Sequence, residues 1–271
     1  MLDTLQSPGL PELARRYMAQ TPDLPHPGTG QTLQRWQALA ALGARDLALA
    51  KVLEAHYDAR AILVDLGQPM PARETLVAVW PGETADCVLS ADACGTLDGS
   101  KAWCSGASLV DAALVTVREG PQPGLYLLPR SQAVTLDEDD WPAPGMSLIP
   151  STTIRVTAAV ATRLGSAEAY LGRPGFWHGG AGIAAVWLGA AGALVAAMQA
   201  KAEGEVRARL AGKAVMAQAA ATALLRELAV RIDTDPSQSH RAQVVLVRSV
   251  AERACTRILD LAGRALGPGP M

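Results

Sequence analysis

The chain has 271 residues, 49% of them hydrophobic, which is enough to build a sizeable buried core. Its 24 basic and 26 acidic residues give a formal net charge of -2. This balance excludes the strong basic excess with which proteins neutralise nucleic-acid phosphates, so the sequence predicts no nucleic-acid partner.

The N-terminal segment and the cysteines predict a cytoplasmic protein. Residues 1–18 lack the basic and then apolar run of a secretory signal peptide. Metal-ligand spacing is absent among the four cysteines, so we expect small, buried, reduced residues and no metal. These are Cys87, Cys94, Cys104 and Cys255.

The first region, residues 1–75, is predicted to be a helical domain. Apolar residues recur at helical spacing between Leu33 and Leu66, and Gly67 follows in the position of a C-terminal stop. One long helix is therefore expected here.

The second region, residues 76–165, is predicted to be a β-domain. Short runs rich in Val, Leu and Thr are separated by Gly, Pro, Asp and Ser, and they place strands at 76–80, 109–117, 125–128 and 153–160. In the last strand Ile154, Val156, Ala158 and Val160 alternate on one face, which we expect to be buried. An Asp-Gly pair at 98–99 predicts a hairpin turn.

The third region, residues 166–271, is predicted to be an antiparallel bundle of helices at 177–203, 205–233 and 238–265. Asp235 is expected to cap the last helix and Pro236 to lie in its first turn, and the Gly-Pro-Gly-Pro sequence after Ala265 and Leu266 ends it. The fold class is thus α+β, with an N-terminal helical domain, a central β-barrel-like domain and a C-terminal helical bundle.

No charged residue occurs between Arg173 and Lys201, a stretch long enough to cross a bilayer. Its composition is mostly Gly and Ala, with large apolar side chains only at intervals and a polar His178 near one end. These features favour a helix buried inside a bundle, so the sequence predicts no membrane span.

Trp103 and Ser105 are the first candidates for a binding surface. They lie two residues apart in a predicted strand, so their side chains should point the same way. An aromatic plate beside a hydroxyl group suits a flat heteroaromatic ligand such as a flavin. The residues alone leave an alternative open, in which Trp103 fills the barrel core and Ser105 faces water.

The run Leu97-Asp-Gly-Ser-Lys-Ala-Trp-Cys-Ser-Gly-Ala107 resembles the Leu-Asn-Gly-x-Lys-x-Trp-Ile-Thr-Asn-Ala motif in the middle domain of acyl-CoA dehydrogenases. The order of helical domain, β-domain and helical bundle is also that of this family. The resemblance implies FAD between barrel and bundle, with Trp103 packed against the isoalloxazine ring and Ser105 hydrogen-bonded near N5. It also implies an acyl-CoA or related thioester substrate, oxidised at its α,β bond.

Two stretches depart from the family pattern. Val79-Trp-Pro-Gly-Glu83 stands where the family has Thr-Glu-Pro and a Gly-rich turn, so Val79 offers the flavin only its backbone amide. The helix that carries the family's catalytic Glu is not found, nor is a carboxylate at 179–182, where other members have the base. The family's Arg and Gln that reach the FAD of a neighbouring subunit are missing as well.

His178 is the nearest proton acceptor in the sequence. An imidazole with a pKa near about 6.5 can take up a proton at neutral pH, so His178 is the candidate catalytic base. The alternative is that His178 packs at the start of a helix against a backbone carbonyl. Hydrolase triads and phosphate-binding glycine loops find no matching pattern in the chain.

Three hypotheses follow. The first is an FAD-dependent dehydrogenase of acyl thioesters, whose electron acceptor the sequence does not identify. The second is a flavin-dependent monooxygenase on the same fold, which needs no carboxylate base. The third is a non-catalytic binding or assembly protein. In each case we expect a homo-oligomer, a dimer first of all, since a bundle without its last helix exposes an apolar face.

Overall fold

The computed structural model describes residues 9–121, 123–136 and 141–267, so the N-terminal residues 1–8 and the C-terminal residues 268–271 lie outside it. The fold is α+β, as predicted, with helices before and after an eight-stranded sheet. The described residues form two compact units. The first comprises Met1–Asp23 with Lys51–Arg173, and the second Leu24–Ala50 with Pro174–Met271. The three domain boundaries given above stay a prediction.

Three helices precede the sheet: α1 Leu10–Gln20, α2 Thr32–Arg45 and α3 Leu47–Asp65. The single long helix expected at 33–66 is therefore wrong. Asp46 takes an extended backbone between α2 and α3, and its carboxylate accepts a hydrogen bond of 2.9 Å from the Leu49 amide. An Asp side chain that satisfies the free amides of a helix start favours a new helix over continuation of the old one. Gly67 ends α3 as predicted, with its amide donating to Val64 O.

The sheet belongs to the first unit, and all four predicted strands are present in it. In chain order the strands are β1 Val77–Trp80, β2 Leu89–Ala91, β3 Thr96–Ser105, β4 Ala112–Arg118, β5 Pro123–Pro129, β6 Ala133–Leu136, β7 Ser151–Val160 and β8 Thr162–Leu164. They are arranged as β6-β7-β3-β2-β4-β5-β8, and β1 pairs in parallel with β4. The aliphatic side chains of β4 and β5 supply much of its core.

Two sequence expectations for the strands are wrong because the backbone bulges. Asp98 and Gly99 lie inside β3 and form no hairpin turn; the register shifts there, and Gly99 has a φ of 124°. A side chain at Gly99 would come 2.1 Å from Val88 O, so only glycine fits. In β7, Ala158 has a φ of 46°, which interrupts the alternation and leaves Ala158 and Val160 exposed.

The second unit contains α2 and three long helices, α4 Pro174–Ala200, α5 Glu205–Thr234 and α6 Arg241–Leu266, which confirms the three predicted helices. Their short connections make successive helices antiparallel neighbours. The predicted start of α6 is wrong. Asp235 ends α5 and its carboxylate accepts from Ser237, Pro236 lies in the connection, and His240 precedes α6.

Helix α4 is long and apolar enough to cross a membrane by length and composition. The core helix of a soluble protein passes the same test, and α4 packs against α2, α5 and α6 within the second unit. Gly43 of α2 lies against the Val186 carbonyl, and Gly189 of α4 against the Ala40 carbonyl. The absence of a membrane span stays a prediction.

The cysteines are free thiols, as expected, but only Cys104 is buried and Cys94 is exposed. Cys94 lies in the turn between β2 and β3, where the Asp92 carboxylate accepts from the amides of Cys94 and Thr96 at 2.8 Å. This turn directs Cys94 to the surface, so the expected burial of all four cysteines is wrong.

Candidate functional site

Trp103 lies on a β-bulge near the end of β3. The register between β3 and β7 shifts between Lys101 and Cys104, and Trp103 has a φ of 61°. A left-handed backbone is uncommon for a residue with a bulky side chain, and such strain is concentrated at functional sites. The Cys104 thiol, which donates to Lys101 O at 3.2 Å, spans the bulge. The regular alternation expected between Trp103 and Ser105 therefore does not apply.

The bulge turns the Trp103 side chain outward. Its exposed fraction is 60%, although Ala102 and Cys104 on either side are buried. The indole borders a cavity of about 260 Å³ within the first unit. The walls of this cavity are mostly apolar, and they include Val52, Ala55, Val79, Gly82, Val110 and Ile149, with Lys51 and Ser105 as polar members. The sequence alternative in which Trp103 fills the barrel core does not describe this arrangement.

The turn at residues 81–83, which follows β1, packs against the Trp103 indole. A side chain on Gly82 would come 3.2 Å from Trp103 Cδ1, so the backbone of the turn packs closely on the ring. Trp80, the last residue of β1, is buried and donates its indole N–H to Ser105 O at 3.1 Å. These contacts fix the end of β1 against the end of β3.

Ser105 and Val79 lie on the same cavity as Trp103, so the structure brings together the three residues predicted to bind the cofactor. The Ser105 hydroxyl is 2.6 Å from the hydroxyl of Ser151 in β7. Either hydroxyl can be the donor. When Ser151 donates to Ser105, the Ser105 hydroxyl hydrogen can be donated to a ligand.

Lys101 does not line the cavity, but its hydrogen bonds reach a residue that does, and the sequence did not single it out beyond its place in the 97–107 motif. Its side chain is completely buried, and its ammonium donates to Thr116 O at 2.7 Å and to Thr116 Oγ1 at 2.6 Å. Glu83 Oε1 lies 3.9 Å from the ammonium. Burial lowers the pKa of Lys101 to about 8, against the opposing effect of Glu83. A lysine between buried strand residues was the available signal in the sequence, because lysine is almost never fully buried without a partner.

The predicted base, His178, belongs to the second unit. It lies in α4 with an exposed fraction of 3%, and its Nε2 is 2.9 Å from Gln238 O. Since a carbonyl oxygen only accepts, Nε2 carries the hydrogen in this contact. The His240 ring lies 6.0 Å away between centroids. This geometry matches the alternative in which His178 packs near the start of a helix against a backbone carbonyl.

The face around Trp103 fits a planar aromatic ring. The indole offers an exposed π surface, the Gly82 backbone packs against it, and the Ser105 hydroxyl belongs to a residue on the same cavity. The cavity walls are apolar enough to bury such a ring, and a few polar groups can orient it. The neighbouring Cys104 thiol is buried, and this burial raises its pKa to about 12, which disfavours the nucleophilic thiolate.

No family model and none of the curated proteins matches the chain. Solved structures match it over nearly its whole length. Butyryl-CoA dehydrogenase from Megasphaera elsdenii has a TM-score of 0.76 at 14% identity, over 95% of this chain and 80% of its own. Dibenzothiophene monooxygenase TdsC from a Paenibacillus species has a TM-score of 0.74 at 17% identity, over 95% and 79%. PigA with FAD and proline has a TM-score of 0.78 at 15% identity, over 96% and 80%.

At these identities the likeness concerns the fold. The chain has the fold of the acyl-CoA dehydrogenases, which confirms at this level the resemblance inferred from residues 97–107. Proteins that share the fold differ in chemistry, since they include dehydrogenases and a monooxygenase. TdsC has been solved with FMN and indole, and PigA with FAD.

Proposed function

We propose that this chain binds a flavin with its ring against Trp103 and acts as a flavin-dependent oxidoreductase. The observation that carries the proposal is the exposed, left-handed Trp103 beside an apolar cavity. The flavins present in PigA and TdsC support it. FAD is the form that the family resemblance implies.

The activity we propose is oxidation of the α,β bond of an acyl-CoA or related thioester. A bound flavin supplies the hydride acceptor in such chemistry. The chain supplies the indole of Trp103 as a stacking surface, the Ser105 hydroxyl as a donor at the ring edge and the Val79 backbone at the cavity wall. His178 remains our candidate for the group that accepts the α-proton.

Titration of the purified protein with FAD tests the cofactor proposal. We expect the flavin fluorescence to be quenched and the visible spectrum to shift on binding. Trp103→Ala should weaken FAD binding by about 5- to 150-fold, because a base or ring stacked on an aromatic side chain is worth roughly 1–3 kcal/mol. Trp103→Phe keeps an aromatic ring and should lose less of the affinity for FAD. A protein that takes up neither FAD nor FMN would leave the non-catalytic binding or assembly hypothesis.

Anaerobic addition of acyl-CoA thioesters tests the reaction. Bleaching of the bound flavin near 1:1 stoichiometry would support dehydrogenation. His178→Ala should abolish the bleaching while FAD binding persists if His178 is the base. His240→Ala, which removes the neighbouring ring, is the matched control. Unchanged reduction in the His178 variant would remove this residue from the mechanism.

Flavin-dependent monooxygenation is the second candidate, and the lining of the cavity favours it. None of the described residues that line the cavity is Asp or Glu, so this wall offers no carboxylate base. Reduced flavin that reacts with oxygen needs none, and one structure of the same fold is named a monooxygenase. Oxygen consumption by the reduced, flavin-loaded protein in the presence of aromatic substrates would distinguish this activity from dehydrogenation.

We also propose a cytoplasmic homo-oligomer, with a dimer as the simplest form. Large apolar side chains are exposed along α5 and α6, and within each helix most of them fall on one side at helical spacing. They are Val206, Met216, Val230, Val245, Leu246 and Leu259. Light scattering should give a mass above 28.2 kDa at micromolar concentration, and a monomeric mass would contradict the proposal.

A further inference from the structure

Lys101 is an unusual core residue for a β-sheet. Its side chain has no exposed surface, and its ammonium is held by the carbonyl and hydroxyl oxygens of Thr116 in β4. Burial of an ammonium group is costly, and a methionine could fill a similar space without that cost. Stability of the sheet alone therefore does not account for a charge at this position.

The hydrogen bonds of Lys101 lead to the turn at residues 81–83. Thr116 Oγ1, which accepts from Lys101, donates in turn to Pro81 O at 2.9 Å. Glu83 at the other end of the turn lies 3.9 Å from the ammonium. One buried charge thus holds both ends of a three-residue turn.

Gly82 in the middle of this turn is the residue that packs on Trp103. Its backbone comes so close that a side chain there would meet Trp103 Cδ1 at 3.2 Å and Cβ at 3.4 Å. Displacement of the turn would therefore move the indole or leave it unsupported. Lys101 lies two residues before Trp103 in β3. Strand β3 is therefore joined to the 81–83 turn twice, through the hydrogen bonds of Lys101 and through the packing of Trp103 on Gly82.

We propose that Lys101 is a positioning residue for the ring-binding face, which acts through Thr116, Glu83 and the 81–83 turn to hold Trp103 in its left-handed, exposed conformation. Its side chain is completely buried and does not line the cavity. The inference rests on the proposed function, in which Trp103 receives the flavin ring.

A double-mutant cycle on FAD affinity tests the proposal, because residues that act through one another show non-additive effects. Lys101→Met should weaken FAD binding by about tenfold in the otherwise unchanged protein, the effect of about one lost hydrogen bond. In the Trp103→Ala background the same change should cost less than about twofold. Equal losses in both backgrounds, or no loss at all, would overturn the proposal.

Two Thr116 variants provide a second test in case Lys101→Met does not fold. Thr116→Val removes the hydroxyl that links the ammonium to Pro81 and should weaken FAD binding, while Thr116→Ser keeps it and should restore the affinity. Lys213→Met removes an exposed charge in α5 and is the control for net charge. Failure of Thr116→Ser to differ from Thr116→Val would contradict the role of the hydroxyl.

Hydrogen exchange of the flavin-free proteins separates this inference from the proposed function. Lys101→Met and Thr116→Val should speed exchange in segments 79–84 and 101–106, with little change in α5. If the unchanged protein binds no flavin, the proposed function fails, yet faster exchange in these two segments still supports the positioning role. Unchanged exchange in both segments would overturn it.

Discussion

Two residues in the first unit have properties that their type alone does not suggest. Trp103 is an aromatic residue with a left-handed backbone and a largely exposed side chain. His56 in α3 is a polar residue that is almost completely buried, and its Nδ1 accepts a hydrogen bond from the Val77 amide at 3.3 Å. Burial and the nearby Arg60 lower the pKa of His56 to about 4. A neutral imidazole is therefore part of the fold.

The lowered pKa of His56 makes stability depend on pH. His56 takes up a proton near pH 6.5 in the unfolded chain but only near pH 4 in the folded protein. Its contribution to the free energy of unfolding is therefore fully present above pH 6.5 and is lost as the pH falls towards 4. The shift corresponds to about 3 kcal/mol of unfolding free energy. Urea unfolding at pH 7, 5.5 and 4.5 measures this loss.

His56→Asn is the matched variant, because its side-chain oxygen can accept from Val77 but does not titrate. We expect its stability to fall less between pH 6.5 and 4 than that of the unchanged protein. Parallel loss in both proteins would mean that other groups cause the pH dependence.

At the scale of elements, helix α2 owes its start to a residue far along the chain. Asp233 near the end of α5 accepts from the amides of Gly30 and Thr32 and from the Thr32 hydroxyl, at 3.0, 3.1 and 2.6 Å. No side chain at the residue before α2 performs this role. The cap thus also joins α2 to α5.

Asp233→Ala should lower the unfolding free energy by about 1–2 kcal/mol, since it removes a helix cap. Asp235→Ala serves as the control. The Asp235 carboxylate accepts from the exposed Ser237 in the connection, and its loss should cost less than about 0.5 kcal/mol. Chemical denaturation gives both values. Similar losses in the two variants would argue against the cap.

Helices α2 and α4 approach through small residues, and Gly189 is the closest contact. A Cβ there would lie 1.9 Å from Ala40 O, a backbone atom that cannot move aside by itself. Gly189→Ala should therefore destabilise the protein by about 2 kcal/mol or more.

Gly212→Ala in α5 is the control for Gly189→Ala, since no atom lies within 4 Å of the added Cβ. There the greater helix propensity of alanine should stabilise the protein by about 1 kcal/mol. Thermal unfolding compares the two variants. If Gly189→Ala left the thermal stability unchanged, this would contradict the close packing of α2 on α4.

At the scale of the whole molecule, each compact unit combines two separate stretches of the chain. The second unit needs residues 24–50 as well as the C-terminal helices, because α2 covers one face of α4. A fragment of residues 166–271, the predicted bundle domain, would expose that apolar face.

We expect this fragment to lack cooperative unfolding and to bind a hydrophobic dye. Joining residues 24–50 to its N-terminus by a flexible linker should restore a cooperative transition. Cooperative folding of the fragment without residues 24–50 would instead support a domain boundary at residue 165.

The fold was more predictable from the sequence than the site. Helices α4 to α6 and strands β4, β5 and β7 were found to within a few residues, because their apolar periodicity is a local property. The break at Asp46, the bulge at Gly99 and the start of α6 were missed. At Asp46 a side-chain cap overrides the helical periodicity, and at Gly99 the Val88 carbonyl, which lies outside the local repeat, leaves space only for glycine.

Within the candidate site, the residue types of the 97–107 motif were enough to indicate Trp103 and Ser105. The same motif predicted the resemblance to the acyl-CoA dehydrogenases, which the fold confirms. The outward turn of Trp103, the support by Gly82 and the buried ammonium of Lys101 came only from the folded chain. Trp103 contacts Gly82 after β1, Lys101 contacts Thr116 in β4, and Ser105 contacts Ser151 in β7. Each of these partners lies 15 or more residues away in the sequence. A periodicity of two or 3.6 residues carries no information about such contacts, since they depend on which strands become neighbours.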